Sequence, residues 1–261
     1  MKTKKIYLNS GWSLRQFDVV SSSNDIAIFV LKNLKSLSEG MGFLVNSQTK
    51  GRGRLGRKWI SSAGEGVYMS IILCPNRNKS EWPSLSFLVA NSVYDTLINF
   101  FSELSGKLKL KWPNDLLIKK FKIGGILIES CNDGIVIGIG INIKNSPIID
   151  NISWTPGNLS MFCEVKKISR YELCIDIMNS ISKKYNQWKR SGGKQQITYW
   201  KEKCDMVGKH ILVKTFFNSF EGICHEFLDN GHLVLIDNLG RKKIMTSGDV
   251  EIIREYNVTC N

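Results

Sequence analysis

The 261-residue chain is 43% hydrophobic, 10% aromatic and 23% charged, which excludes a disordered or fibrous protein and leaves room for one large domain or a medium one with a small companion. Its 36 Lys and Arg against 23 Asp and Glu give a net charge of +13, so an anionic partner or substrate is expected, with plain solubility as the bland alternative. Residues 206–261 carry 6 basic and 7 acidic side chains whereas residues 1–62 carry 11 and 3, which assigns the cationic field to the N-terminal part.

The opening MKTKKIYLNSGW is positive but has no apolar stretch behind it, so it does not read as a signal peptide. The longest apolar run, Ile26–Leu31, is far short of the roughly 18 residues that suggest a membrane span, and a cytoplasmic protein is expected. Ser22 with Asp25 three residues on reads as a capping box, and Ile26, Phe29, Val30, Leu34 and Leu37 follow at helical spacing. GFLVNSQ then reads as a strand running into a basic, glycine-rich loop, Gly51 to Trp59. VYMSIILC (67–74) predicts a strand, residues 85–104 a long helix with a buried face, and LKLKW (108–112) a strand that Pro113 ends.

KIGGILIES and GIVIGIGINI predict a hairpin turning at Asn132-Asp133-Gly134. A helix capped by Ser169 with Glu172 runs to Trp188 and stops at Gly192-Gly193, and a short helix follows near residues 195–203. Five short strands, HILVKTFF, FEGICHEF, HLVLID, KKIMTS and VEIIR, make a small β-barrel. The division expected is a mixed α/β domain over residues 1–206 and a barrel over 207–261. Seven cysteines form no CxxC pair and read as reduced thiols, and all three histidines lie in the last quarter of the chain. Imidazole is therefore not the base of any chemistry carried earlier.

Three stretches carry candidate chemistry. In GRGRLGRKW, Gly51, Gly53 and Gly56 match the dinucleotide-binding spacing, but no helix start follows, and Arg57-Lys58 stand where a phosphate-binding loop needs Lys and Ser/Thr. What remains is Arg52, Arg54, Arg57 and Lys58 on a pliable backbone, suited to gripping phosphate or carboxylate; a solvated basic loop is the competing reading. In KWPND the alternation places Lys107, Lys109 and Lys111 on one face, and the proline sets Asn114 and Asp115 at a strand end. In GIVIGIGINI the odd-numbered isoleucines share one face while Val136, Gly138, Gly140 and Asn142 share the other, a face with room for a ligand or a second backbone. Lys122 beside Gly124-Gly125 repeats that theme.

The order GRGRLGRKW, KWPND, KIGGILIE, GIGINI and a terminal β-barrel resembles the biotin protein ligases over nearly the whole chain. The resemblance implies an α+β fold: a mixed sheet with flanking helices, like class II synthetases, with an SH3-like barrel behind it. It implies formation of biotinyl-5′-adenylate and pyrophosphate from biotin and ATP, with Mg2+ accompanying the triphosphate, then transfer of biotin to a lysine of a carboxylase's carrier domain; no side-chain metal cage is evident in the sequence. By the same resemblance Ser22, Ser23, Asn24, Gln48, Gly51, Arg52, Arg54, Lys122 and Gly125 contact biotin, with Ser23 standing where the family has threonine. Arg52, Arg54, Arg57, Trp59, Lys122 and Asn142 meet the nucleotide. Arg54 and Lys122 stabilise the developing charge, and Asp115 orients the attacking amine or accepts its proton.

Larger relatives begin with a DNA-binding domain, and the 21 residues before Ser22 are too few for one, so a monofunctional ligase without operator binding is expected; its oligomeric state is left open. A lipoate or octanoate ligase of the same superfamily is the enzyme alternative. A basic nucleic-acid-binding protein, with loop and lysines reading phosphates, is the alternative of another class; the glycine-lined face and Asn142 fit a small-molecule groove better, and the net charge of the barrel argues that the barrel is no nucleic-acid module.

Overall fold

The computed structural model describes residues 4–131, 134–147, 155–165 and 168–254. Its larger sheet contains β1 (Lys4–Tyr7), β2 (Ser13–Val20), β3 (Met41–Gln48), β4 (Gly66–Leu73), β5 (Leu108–Lys111), β6 (Asp115–Ile118), β7 (Phe121–Cys131), β8 (Gly134–Asn142) and the two-residue β9 (Thr155–Pro156). Their order is β1-β2-β3-β4-β8-β7-β6-β5, with β9 alongside β7; β2/β3 and β7/β9 are parallel and the other pairs antiparallel. The helices are α1 (Ser23–Leu34), α2 (Leu85–Phe100), α3 (Arg170–Ser191) and α4 (Lys194–Lys203).

Central strands β4 and β8 are nearly all apolar because both of their faces are covered. Ile135, Ile137, Ile139 and Ile141 point into the main core with α2 and α3, while Val136 packs with Ala27 and Leu31 of α1 on the opposite face. The alternation read from the sequence is therefore real: one face is core, and the glycine-bearing face lies on the α1 side. Ser169 caps α3 by accepting from the Glu172 amide, as its spacing predicts. Ser22 precedes α1 but makes no side-chain cap bond; Asp25 accepts instead from Ser21.

A second sheet, in the order β13-β12-β11-β10-β14, is formed by β10 (His210–Lys214), β11 (Ser219–Phe227), β12 (Leu233–Ile236), β13 (Lys242–Met245) and β14 (Asp249–Arg254). All five strands pair antiparallel. Its buried side chains Ile211, Phe227 and Leu233 join the same continuous apolar cluster as Trp112 and Trp200, so the small sheet is seated on the large one rather than tethered to it.

Three features differ from the sequence reading. The N-terminal hairpin of β1 and β2 was not anticipated. The helix predicted over 85–104 ends at Phe100, and a separate 3-10 turn covers Ser102–Leu104. KWPND ends β5 as expected but also opens an unanticipated strand: Asp115 begins β6, which folds straight back on β5 with Lys111 opposite Asp115. Hairpin β7–β8 forms as expected, with Cys131 opposite Gly134, while Asn132 and Asp133 lie outside the described residues.

Candidate active site

Strand register builds the floor of a single cleft on the α1 side of the large sheet. One rung runs Lys111, Asp115, Gly125, Gly140, Tyr68 across five strands, and the next runs Leu127, Gly138, Ser70. Side chains on one rung share a face, so residues far apart in sequence meet here. The cleft encloses about 1120 Å3 counting its solvent-open mouth, and Ser22, Ser23, Asn24, Gln48, Arg52, Arg54, Arg57, Trp59, Asp115, Lys122, Gly125 and Asn142 all lie on its lining.

The glycine face is not empty. A Cβ at Gly138 would stand 2.6 Å from Asn24 Oδ1, and one at Gly140 would stand 2.5 Å from the Trp59 ring. The space these glycines leave is filled by two of the chain's own site residues, which is a correction to the expectation of open room for a ligand. Gly51 lies off the lining: its carbonyl accepts from the Trp59 amide at 2.9 Å, and a Cβ there would meet the Trp59 carbonyl oxygen. It closes the loop.

A polar cluster occupies one end. The Gln48 side-chain oxygen accepts from the Ser23 amide (2.8 Å) and hydroxyl (3.1 Å), and the Ser70 hydroxyl lies 2.5 Å from Asn24 Oδ1 and 2.7 Å from Ser23 Oγ. Asn24 Nδ2 donates to Glu129 Oε2 at 2.5 Å. Ser22, Ser23 and Asn24 are all buried although they open a helix at the cleft.

At the other end Asp115 Oδ1 stands 2.6 Å from Lys122 Nζ, and Oδ2 stands 3.5 Å from Lys111 Nζ. Burial on its own would raise the Asp115 carboxyl, but Lys122 and Lys111, with Arg54 behind them, outweigh it and hold the group below the ordinary carboxylate range. Burial pushes the Lys111 ammonium down, against the pull of Asp115. Asn114 ties the intervening turn to β7 by donating to the Ile126 carbonyl and accepting from its amide. Lys122 also lies over the Trp59 ring, 5.9 Å from its centroid.

The arginine loop is folded as a tight ledge, with a bridge between Arg52 and Lys58 and a 3-10 turn at Arg54–Gly56. Arg52 Nε and Nη2 each donate to Glu129 at 3.0 Å, while Nη1 reaches Asp25 at 2.6 Å. Arg54 donates to the Gly248 carbonyl at 3.0 Å. Asp249 lies 2.6 Å from Arg57 and 3.7 Å from Arg54 as an ion pair. Burial lowers the Arg54 guanidinium, with Asp249 and Asp115 pulling the other way. Carboxylates of α1, β7 and β14 balance the loop cations without any ligand.

The biotin/lipoate A/B protein ligase family model matches residues 17–144. Over 250 residues the chain is 32% identical to the bifunctional ligase/repressor BirA of Bacillus subtilis, an alignment covering 93% of this chain and 74% of that protein. This chain belongs to the biotin protein ligases. Identity to the biotin–[acetyl-CoA-carboxylase] ligase of Mycobacterium tuberculosis is 26% over 259 residues, 97% of this chain and 94% of the relative. Among solved structures, the biotin protein ligase from Aquifex aeolicus in complex with biotin and ATP superposes with a TM-score of 0.77 at 27% identity, covering 93% of this chain and 99% of that one.

The chain is accordingly a ligase, with the mixed sheet and five-stranded terminal sheet expected of the family. Sequence reading missed four lining or supporting residues: Lys111, Ser70, Glu129 and Asp249. Lys111 carried a signal, since it alternates with buried leucines two residues before a proline turn; the other three gain their places only through strand pairing or the packing of the small sheet. Asn142 lines the cleft, but its amide donates to the Gly157 carbonyl, and Trp112 is core, its indole donating to the Gly231 carbonyl. Among the described residues no helix is long and apolar enough to cross a membrane.

Proposed function

We propose that this chain joins biotin to ATP as biotinyl-5′-adenylate and then passes biotin to a lysine of a carboxylase's carrier domain. The carrying observation is the convergence of Arg54, Arg57, Lys111 and Lys122 on one cleft that ends in the hydrogen-bonding cluster of Ser23, Asn24, Gln48 and Ser70. Joining a carboxylate to a triphosphate forces two anions together, and fixed cations lower the cost of that approach in the transition state. A carboxylate oxygen of biotin attacks the α-phosphorus, the bond to pyrophosphate breaks, and pyrophosphate leaves with its electron pair.

Ser22, Ser23, Asn24 and Gln48 suit the ureido end of biotin, with Gly125 beside the rings. Arg54 and Lys122 flank the reacting oxygens, and Arg57, Trp59 and Asn142 stand toward the nucleotide. Arg52 contributes by its place in the loop, because its guanidinium is committed to Glu129 and Asp25. In the second step the carrier amine attacks the acyl carbon, AMP departs with the electron pair of the broken acyl–oxygen bond, and the proton the amine sheds passes to the released phosphate or to water. Of the two roles open to Asp115, orientation fits better: a carboxylate bound by two ammonium groups is a weak proton acceptor.

Magnesium enters as the counter-ion of the triphosphate. Among the described residues no group of three or more His, Cys, Asp or Glu could cage a metal, and Asp115 and Asp249 already hold cations. Residues 207–261 form the small domain in this reading, which supplies Gly248 and Asp249 to the nucleotide side. The test is transfer: labelled biotin should appear on the acceptor lysine of a carrier domain with ATP present, and excess lipoate should not compete. Competition by lipoate at equal concentration would support the lipoate alternative instead.

A further inference from the structure

Two parts of the cleft come from separate stretches of chain, the Ser22–Asn24 turn at the start of α1 and the arginine loop. Main chain joins them at their roots, where the Lys50 amide donates to the Ser21 carbonyl at 2.7 Å, and Arg52 reaches Asp25 of α1 directly. Deeper in the cleft, one side chain on the sheet contacts both Asn24 and Arg52. Glu129 lies on β7, two steps along the same face from Leu127 and four from Gly125, and it uses both oxygens: Oε1 accepts from Arg52 Nε at 3.0 Å, and Oε2 accepts from Arg52 Nη2 at 3.0 Å and from Asn24 Nδ2 at 2.5 Å.

We propose that Glu129 is a positioning residue that couples the biotin end of the site to the arginine loop, setting the Asn24 amide and the Arg52 guanidinium together beyond what the main-chain link at their roots provides. The inference rests on the biotinyl-adenylate reading and deepens it. The fork of Arg52 matches a carboxylate through two parallel donors, which fixes the direction as well as the distance of the contact. A carboxylate only accepts, so it draws the amide nitrogen of Asn24 toward itself and turns the amide oxygen to the Ser70 hydroxyl. Ser70 is in turn 2.7 Å from Ser23 Oγ, which carries the chain of contacts to Gln48. On the loop side, Arg52 Nη1 engages Asp25, whose second oxygen accepts from Ser21. Arg52 keeps its charge here: burial opposes it, but Glu129 and Asp25 outweigh burial and raise its pKa. Arg54 follows two residues after this anchor, so its reach into the cleft is set by it.

The test uses the full chain and the variants Glu129→Gln, Arg52→Lys and their double. Wild type is first assayed for biotin-dependent pyrophosphate release; absence of that release defeats the ligase reading itself and leaves the coupling without a substrate. Given release, Glu129→Gln should raise the KM for biotin and shorten the lifetime of bound adenylate, each by about tenfold, corresponding to roughly 1.4 kcal/mol, with the unfolding midpoint nearly unchanged. Arg52→Lys should do the same, and the double variant should be no worse than either single one, as expected for residues acting as one unit. Glu129→Ala gives the same reading if Glu129→Gln fails to fold. Wild-type KM and adenylate lifetime in Glu129→Gln, or strictly multiplying effects in the double variant, would overturn the coupling.

Discussion

At the β5–β6 end of the cleft, Lys111 and Asp115 face each other across a strand pair with side chains only 9% exposed, whereas at the loop end Arg57 is 48% exposed and reaches Asp249 across the seam with the small sheet. Both ends balance cations with carboxylates. They differ in what holds them: main-chain register at one, side-chain reach at the other. Buried charges must keep their partners, while exposed pairs contribute little and are screened by salt. The lysine end is therefore a fixed part of the fold, and the proposed function assigns to the arginine end the exchange of a protein carboxylate for a ligand anion.

The sharpest way to break this contrast is Asp115→Asn. It strands the buried Lys111 ammonium and should cost about 3–5 kcal/mol of stability, read by urea unfolding; adding Lys111→Met should recover most of that loss without restoring transfer. A loss below about 1 kcal/mol would put the lysine end on the same footing as the loop. The pH dependence follows the same logic. The folded carboxyl of Asp115 lies below its unfolded value of about 3.9, so its stabilisation is complete above that pH and is lost as pH falls through the folded value. Stability measured from neutral pH to pH 5 should owe no decline to this group.

Arg54→Ala should slow adenylate synthesis about 100-fold or more if an oxyanion-type contact is removed, while leaving unfolding nearly unchanged. Wild-type-like rates would leave Arg54 with only its contacts to Gly248 and Asp249 and no part in the reaction. Gly140→Ala pushes a methyl against the Trp59 ring and should cost roughly 1–3 kcal/mol, with a shift in tryptophan emission as the check. The smallest effect belongs to Asp249→Asn: at most about 1 kcal/mol of stability, vanishing in high salt. A large, salt-insensitive loss would show the loop end to be as fixed as the lysine end.

The same contrast explains what could be read from sequence. Local patterns carried most elements: the isoleucine alternation of β8, the Ser169–Glu172 cap of α3 and the five short terminal strands all depend on neighbours a few residues apart. The hairpin of β1 and β2 lacked such a pattern, and β6 was hidden because Asp115 follows the proline that ends β5, where a strand end and a tight reversal look alike. Site residues were legible where charge and glycine cluster in the chain. The counter-ions were not, because Glu129 and Asp249 find Arg52 and Arg57 across 77 and 192 positions of sequence, through sheet register and packing that no local spacing encodes.

Pyrophosphate release from ATP, followed with and without biotin before any carrier is added, tests the central claim most directly. The account predicts release that requires biotin and stops near one equivalent per cleft as adenylate stays bound. Release that ignores biotin, or none with both substrates present, would contradict it.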